Sequence, residues 1–182
     1  MFYDLAKRIM RKNRECISKL PLTISAQYGL VNQITFFNKV VASSDMSNYY
    51  LLKKGEFAYN KSYSSDYPWG TVKRLEKYKE GALSALYICF SPTELIDSDY
   101  FVHYFETTKW YRGISEIAVE GARNHGLLNV AISDYFDTCH LIPNNMSEQK
   151  KIAGFLNLVD QRIATQNKII EKLQSLIPLI KD

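Results

Sequence analysis

The sequence lacks the features that mark most metalloproteins, disulfide-stabilised proteins and membrane proteins. Its three cysteines among 182 residues, Cys16, Cys89 and Cys139, form no CxxC pair, so neither a zinc site nor a disulfide framework is indicated. No apolar run approaches the roughly 18 residues of a membrane span. Residues 1–14 lack the apolar core of a secretory signal. The sequence therefore predicts a cytoplasmic protein without a membrane segment.

Motifs for catalysis are also missing. The chain has no glycine-rich phosphate loop and no GxSxG nucleophile motif, and His103, His125 and His140 are not spaced as metal ligands. Cys139 and His140 are adjacent in a run typical of a strand, which predicts that they face opposite sides and do not act as nucleophile and base. We therefore expect no active site, no metal and no cofactor in this chain.

Charge is modest but unevenly placed. The net charge is +4, and the first 19 residues carry six cations. These cations are Lys7, Arg8, Arg11, Lys12, Arg14 and Lys19. Residues 4–14 have the periodicity of a helix, and their cations fit either phosphate contacts or a solvated helix face. A polyanionic partner is thus permitted but not required.

The body of the chain is predicted to be a mixed α+β domain over residues 1–143. Apolar residues make up 46% of the chain, enough for a real core. A helix is predicted over 97–111 with Asp97 or Ser98 as its cap, because aromatic residues recur there at helical spacing. Short β-branched and aromatic runs predict strands. These strands span 20–26, 31–37, 49–52, 57–60, 83–90, 127–132 and 138–142.

The remaining residues, 144–182, predict a long helix capped by Asn145 or Ser147. A stripe recurs at alternating intervals of four and three residues, the 3.5-residue period of a coiled coil. The stripe comprises Ile152, Leu156, Val159, Ile163, Gln166, Ile170, Leu173 and Ile177. A helix lying on its own domain would show a wider apolar face, so the pattern favours a coiled-coil dimerisation or spacer helix that ends near Pro178. Gln166, the polar member, would fix the register at some cost in stability.

Two segments of the body have the composition of a ligand-contacting surface. Residues 60–79 mix cations, aromatics and hydroxyls, which suit a nucleic-acid surface but also a loop packed on the body. Residues 119–129 hold Arg, Asn and His between two glycines, a set that suits either DNA contacts or a structural turn. The candidate DNA-binding residues are Lys61, Ser64, Tyr67, Lys73, Arg74, Arg123, Asn124 and His125.

Five segments together resemble the specificity subunit of type I restriction–modification enzymes. Residues 20–31 (LPLTISAQYGLV), 46–63, 67–92 and 119–130 are similar to one target-recognition domain of that family, and residues 148–173 (EQKKIAGFLNLVDQRIATQNKIIEKL) to the helix that follows it. The resemblance covers nearly the whole chain, in the same order. The full-length subunit has two such domains and two such helices, whereas this chain has one of each.

The resemblance implies a non-catalytic subunit that reads one half of a bipartite DNA target. It implies a scaffold for a methyltransferase subunit and a restriction/translocase subunit, which would use S-adenosylmethionine, ATP and Mg²⁺. A half-subunit would pair its helix antiparallel with a second copy or with another half-subunit. The alternative is a truncated dimerisation module that does not read DNA and competes for a methyltransferase.

Overall fold

Two β-sheets, several short helices and one long C-terminal helix make up the fold. The computed structural model describes residues 1–118 and 126–176. Its strands are β1 (Ala6–Arg8), β2 (Pro21–Ser25), β3 (Gly29–Asn32), β4 (Tyr50–Lys53), β5 (Phe57–Asn60), β6 (Thr71–Arg74), β7 (Glu80–Leu83) and β8 (Ile88–Pro92). Its α-helices are α1 (Phe2–Leu5), α2 (Gln33–Phe37), α3 (Ser98–Phe105), α4 (Tyr111–Ile117), α5 (Ile132–Phe136) and α6 (Met146–Leu176), with a 3₁₀ turn at Arg14–Cys16. The predicted α+β class is confirmed.

The strands form two four-stranded sheets. The first sheet has the order β1-β8-β5-β6, and all of its neighbours are antiparallel. The second has the order β3-β2-β7-β4, in which only β2 and β7 run parallel. Strands far apart in sequence therefore become neighbours: in the pairing of β1 with β8, Arg8 faces Phe90, which is 82 residues further along the chain.

The two central strands of the first sheet, β5 and β8, are buried on both faces, and their successive residues point to opposite sides. Phe57 and Tyr59 of β5, with Phe90 of β8, belong to an aromatic core beneath the helices. The alternate residues Ala58 and Cys89 belong to a second core against the other sheet. The small size of these two side chains lets the two sheets approach each other.

The aromatic core is organised around Phe2 at the start of the chain. Its side chain is fully buried, and its ring lies 5.2 Å from Phe90 and 5.1 Å from Tyr135, both edge to face. Tyr59 stacks on Tyr135 at 4.8 Å, and Trp110 donates its indole N–H to the Phe105 carbonyl at 3.1 Å. Full burial of each aromatic side chain contributes roughly 1.5–3 kcal/mol, so this cluster holds the helices on the first sheet.

The helix predicted over residues 4–14 is wrong. The helix ends at Leu5, and residues 6–8 form the edge strand β1 paired with β8. The Ile9 amide continues this pairing by donating to the Cys89 carbonyl at 2.8 Å. A helix at this point would leave the hydrogen-bonding edge of β8 open, so sheet pairing outweighs the local helical pattern.

Three other predictions of secondary structure need correction. The apolar run 83–90 is not one strand, because a turn at residues 84–87 separates β7 from β8 and sends them to different sheets. Residues 33–37 form α2 instead of continuing β3. In the 127–142 region the described structure has an isolated bridge at Leu127 and the helix α5, and no strand over 138–142.

The long helix starts as predicted. Asn145 accepts the Ser147 amide through its side chain at 2.8 Å, so it is the N-cap. In the first turn the fully buried Gln149 accepts the Asp97 amide at 2.7 Å and donates to the carbonyls of Leu95 and Pro143. Asp97 in turn caps α3, as predicted. These bonds fasten the base of α6 to α3.

Candidate nucleic-acid interface and exposed helix

The two segments singled out from the sequence meet in the structure. The Tyr63 amide donates to the Gly126 carbonyl at 3.0 Å, and the Leu128 amide donates to the Lys61 carbonyl at 2.9 Å. Ser62 and Leu127 form an antiparallel bridge between them. The start of the 60–79 segment and the end of the 119–129 segment therefore form one surface, which we call the paired loop.

Backbone hydrogen bonds fix the shape of the paired loop. The Tyr67 amide donates to the carbonyl of Ser64 at 3.2 Å and to its hydroxyl at the same distance. Tyr59 donates its hydroxyl to the Trp69 carbonyl at 2.9 Å, which ties the loop to the aromatic core. Gly70 has a φ of +79°, and a Cβ there would lie 2.1 Å from the Asn60 carbonyl oxygen, so only glycine fits. A loop held in this way is pre-organised for binding.

Three of the eight candidate DNA-binding residues lie on the paired loop. Ser64 is exposed, and Lys61 and Tyr67 are half-buried, with the exposed Tyr63 beside them. Lys61 makes no ion pair with any residue in the described ranges 1–118 and 126–176. Its ammonium is therefore not neutralised by a described carboxylate. Arg123, Asn124 and His125 lie outside the described residues.

Lys73 and Arg74 lie elsewhere, on strand β6. Lys73 pairs with Glu106 at 2.5 Å, and only 13% of its side chain is exposed. Arg74 pairs with Asp99 at 2.7 Å and with Glu76 at 2.9 Å, and 18% of its side chain is exposed. Because each cation already faces a carboxylate, a DNA phosphate would have to compete for it.

The surroundings of Lys73 and Arg74 could not be predicted from the sequence. Together with Gln27, Tyr28 and Lys77 they line a cleft of about 210 Å³ between the end of β2 and β6. Gln27 and Tyr28 belong to the turn before β3, and Tyr28 is 60% exposed. Only the pairing of distant strands brings this turn to β6, so no local signal could reveal the cleft.

The N-terminal cations are also partly engaged. Arg11 pairs with Glu56 at 2.6 Å, and Lys12 donates to the Asn48 carbonyl at 2.9 Å while lying 4.0 Å from the centre of the Tyr50 ring. Lys7 and Arg8 of β1 are exposed. A continuous basic helix face, one of the two alternatives for this segment, therefore does not exist.

Cys139 and His140 are not arranged as a nucleophile and base. Cys139 is exposed, whereas the ring of His140 bonds to the Tyr104 hydroxyl at Nδ1 (2.9 Å) and to the Thr138 hydroxyl at Nε2 (2.8 Å). Burial, helped by the positive charge of the amino terminus, lowers the pKa of His140 to about 4. Both ring nitrogens are occupied, so this histidine is part of the core. Within residues 1–118 and 126–176, no group of three or more His, Cys, Asp or Glu residues could hold a metal ion.

The long helix leaves the domain after its first three turns. Ala153 is buried, and the last contacts with α3 run from His103 to Asn157 (2.9 Å) and to Asp160 (3.8 Å). Every residue from Leu158 to Leu176 is exposed. The uncovered stretch is about 28 Å long at roughly 1.5 Å per residue.

The predicted heptad stripe lies on this uncovered stretch. Val159 is 39% exposed, Ile163 53%, Ile170 49% and Leu173 58%. Ile152 and Leu156, at the base, are half-buried, and Ile177 lies outside the described residues. These side chains form an apolar row that is exposed along α6.

A second apolar row widens this face, and the sequence prediction missed it. Positions 155, 162, 169 and 176 form a row with a seven-residue period, in which Arg162 is the one residue that is not apolar. The apolar members Phe155, Ile169 and Leu176 are 44–66% exposed. With the stripe residues at heptad positions a and d, these residues occupy position g. The signal was present in the sequence as a third apolar heptad position, so the face is wider than the narrow seam that the stripe alone suggested.

No protein-family model matches this chain, and no curated protein matches its sequence. No helix among the described residues is both long and apolar enough to cross a membrane.

Proposed function

We propose that this chain is a sequence-specific DNA-recognition subunit of a type I restriction–modification system. It reads one half of a bipartite target with its α+β body. Its long helix joins it to a second copy and scaffolds the methyltransferase and restriction subunits. The methylation and cleavage chemistry belongs to those partners, so the chain itself is not an enzyme.

The observation that carries the proposal is the uncovered helix. A 31-residue helix whose residues from Leu158 to Leu176 are all exposed, with a single ion pair from Asp160 to His103, gains little from its own domain. In water, tertiary packing of an apolar face supplies most of a helix's stability. The face of α6 therefore supports pairing with a second helix, which is the coiled coil that the heptad spacing predicts.

The g positions support an antiparallel pairing. In an antiparallel pair g faces g, which sets Phe155 beside the partner's Leu176 and Ile169 beside the aliphatic stem of the partner's Arg162. In a parallel pair g faces e, which would set Phe155 beside Asp160 and Ile169 beside Gln174. The antiparallel arrangement keeps apolar side chains together and places the two DNA-reading bodies at opposite ends.

The width of the apolar face supports a further helical partner. Apolar residues at a, d and g give a face of about three positions in seven, as in helices of a bundle with more than two members. A two-helix pair covers chiefly a and d. The g residues of both copies then form an apolar strip on one side of the pair, suited to the helices of a methyltransferase subunit.

The paired loop supports DNA contact. Hydrogen bonds hold its shape, and it carries Lys61, which has no ion-pair partner among the described residues, beside two tyrosines and a serine hydroxyl. Lysine and hydroxyl groups bind phosphates, and they position a protein on DNA before bases are read. The loop lies on the body, so two copies joined through α6 would present two such loops, one for each half of a target.

The proposal is tested by methylation mapping. A cell lacking other methyltransferases is made to express this chain with the methyltransferase subunit of a type I system. We expect methylation at an inverted repeat with a fixed gap, lost when the chain is omitted. Methylation that is absent, or identical without the chain, would contradict the proposal.

The alternative function, a dimerisation module that no longer reads DNA, also has an observation in its favour. Lys73 and Arg74 face carboxylates and are little exposed, so two of the candidate readers are not free to bind phosphates. A sequence-selection assay on the complex with the methyltransferase separates the two functions. Enrichment of no sequence, with the complex intact, would support the alternative.

A further inference from the structure

An apolar groove lies beside the base of α6. Two adjoining cavities of about 560 and 380 Å³ share Tyr104, Lys109 and Leu141 in their walls. Leu141 is 93% exposed, although it lies in an irregular segment flanked by core residues. The larger cavity also has Cys139 in its wall, and the smaller one has Ile152 and Leu156.

The groove continues the apolar stripe of α6. Ile152 and Leu156 are the first two stripe residues, so a helix paired along the stripe runs directly into the groove at its far end. The stripe extends past the described residues to Ile177, and the sequence then continues Pro178, Leu179 and Ile180. This C-terminal segment is apolar at four successive positions, 177–180, and its burial requires an apolar site.

The segment cannot reach the groove of its own chain. Leu156 and Leu176 are separated along one uninterrupted helix by 20 residues, roughly 30 Å at about 1.5 Å per residue. The six residues after Leu176 span at most about 21 Å even when fully extended. A groove that binds residues 177–180 must therefore belong to another chain.

A second copy can bring its residues 177–180 to the groove. It does so in the antiparallel register in which every stripe residue has a partner. When Ile163 faces the partner's Gln166 in an antiparallel pair, Leu156 faces the partner's Leu173 and Ile152 faces the partner's Ile177. No other antiparallel register that matches a with d pairs all eight positions. In this register the residues after the partner's Ile177 arrive beside the groove.

We propose that the groove binds residues 177–180 of a second copy of this chain. The inference rests on the antiparallel helix pairing of the proposed function and extends it. Each body of the dimer is then fastened to the partner's helix end, which fixes the angle between the body and the two-helix spacer as well as the distance.

Cys139 provides the test, because it is exposed in the wall of the groove. Leu179→Cys and Ile180→Cys are introduced separately into the full chain carrying Cys16→Ser, and Cys89 is buried. After mild oxidation we expect a covalent dimer with at least one of these variants on a non-reducing gel. The band should disappear when Cys139→Ser is added. Ser175→Cys, on the polar face of α6, is the matched control and should give no band.

A second variant tests the groove without a disulfide. Because Leu141 is 93% exposed, Leu141→Asp leaves the body folded. We expect about a tenfold rise in the dimer dissociation constant, equivalent to about 1.4 kcal/mol. Thermal unfolding monitored by circular dichroism checks the body separately.

Each outcome decides one of the two proposals. A dimer in solution that gives no Cys139-dependent band, and that Leu141→Asp does not weaken, overturns the groove inference and leaves helix pairing intact. A covalent dimer that survives Cys139→Ser indicates parallel helices and overturns the inference. A chain that light scattering shows to be a monomer overturns the helix pairing itself.

Discussion

Truncation of two stripe residues should dissociate the dimer while the monomer stays folded. Ile163 and Ile170 are 53% and 49% exposed in the single chain, so about half of each side chain is available for burial by a partner. Full burial of an isoleucine contributes roughly 1.5–3 kcal/mol, so half contributes about 1 kcal/mol. Ile163→Ala together with Ile170→Ala changes four side chains in a symmetric dimer, and the expected loss is about 4 kcal/mol. The dimer dissociation constant should rise about a thousandfold.

The assay is sedimentation equilibrium of the double variant and the unchanged chain over a range of concentrations. Alanine is the best helix former, so the helix of the monomer should not weaken. Gln161→Ala, on the opposite face of α6, is the matched control and should leave the dissociation constant unchanged. An unchanged constant in the double variant, or an equal rise in the control, would refute pairing through this face.

Four other changes test the remaining features. Gln166→Leu should tighten the dimer about tenfold, measured by sedimentation, while admitting additional registers that cysteine cross-linking detects. The pKa of His140 is lowered from 6.5 to about 4 in the folded state, so its contribution is fully present above pH 6.5. The free energy of unfolding should fall by roughly 2–3 kcal/mol between pH 6.5 and pH 4 in urea titrations, and His140→Gln should flatten this part of the profile. Gln149→Ala removes three partly buried hydrogen bonds to backbone groups and should cost about 2–4 kcal/mol by the same method; an undiminished free energy would contradict the docking role. Lys61→Ala should weaken DNA binding about equally for all sequences and lower the salt slope by about 1, whereas Lys168→Ala should change neither.

The elements that could be predicted from the sequence are those whose signal is local. The 3.5-residue spacing of Ile163, Gln166 and Ile170 is a property of one helix, and α6 begins at the predicted cap Asn145. The strands β2, β4 and β5 coincide with β-branched and aromatic runs to within one or two residues. Asp97 likewise marks the start of α3 by its own side-chain bonds.

The failed predictions concern elements that depend on distant partners. Residues 6–8 have a helical pattern, but the open edge of β8 recruits them into a sheet. The run 83–90 is apolar except for Ser84, and its two ends belong to strands of different sheets, which the apolar pattern alone does not distinguish. The pairing of Lys61–Tyr63 with Gly126–Leu128 joins two segments more than 60 residues apart, and only the fold brings them together.

The distribution of ion pairs changes which residues can report on DNA binding. From the sequence alone, Lys61, Lys73 and Arg74 are equivalent candidates for DNA binding, because each is a cation in a segment rich in aromatic residues. In the structure Arg74 holds Glu76 and Asp99, and removing it would leave Asp99 without its cation at the start of α3, next to the site where Gln149 docks α6. A loss of DNA binding in such a variant could arise from a shifted helix as readily as from a lost contact. Lys61 has no described ion-pair partner, so its removal changes the surface alone. The residue that tests DNA contact most directly is therefore the one on the paired loop, although the arginine has the richer chemistry for reading bases.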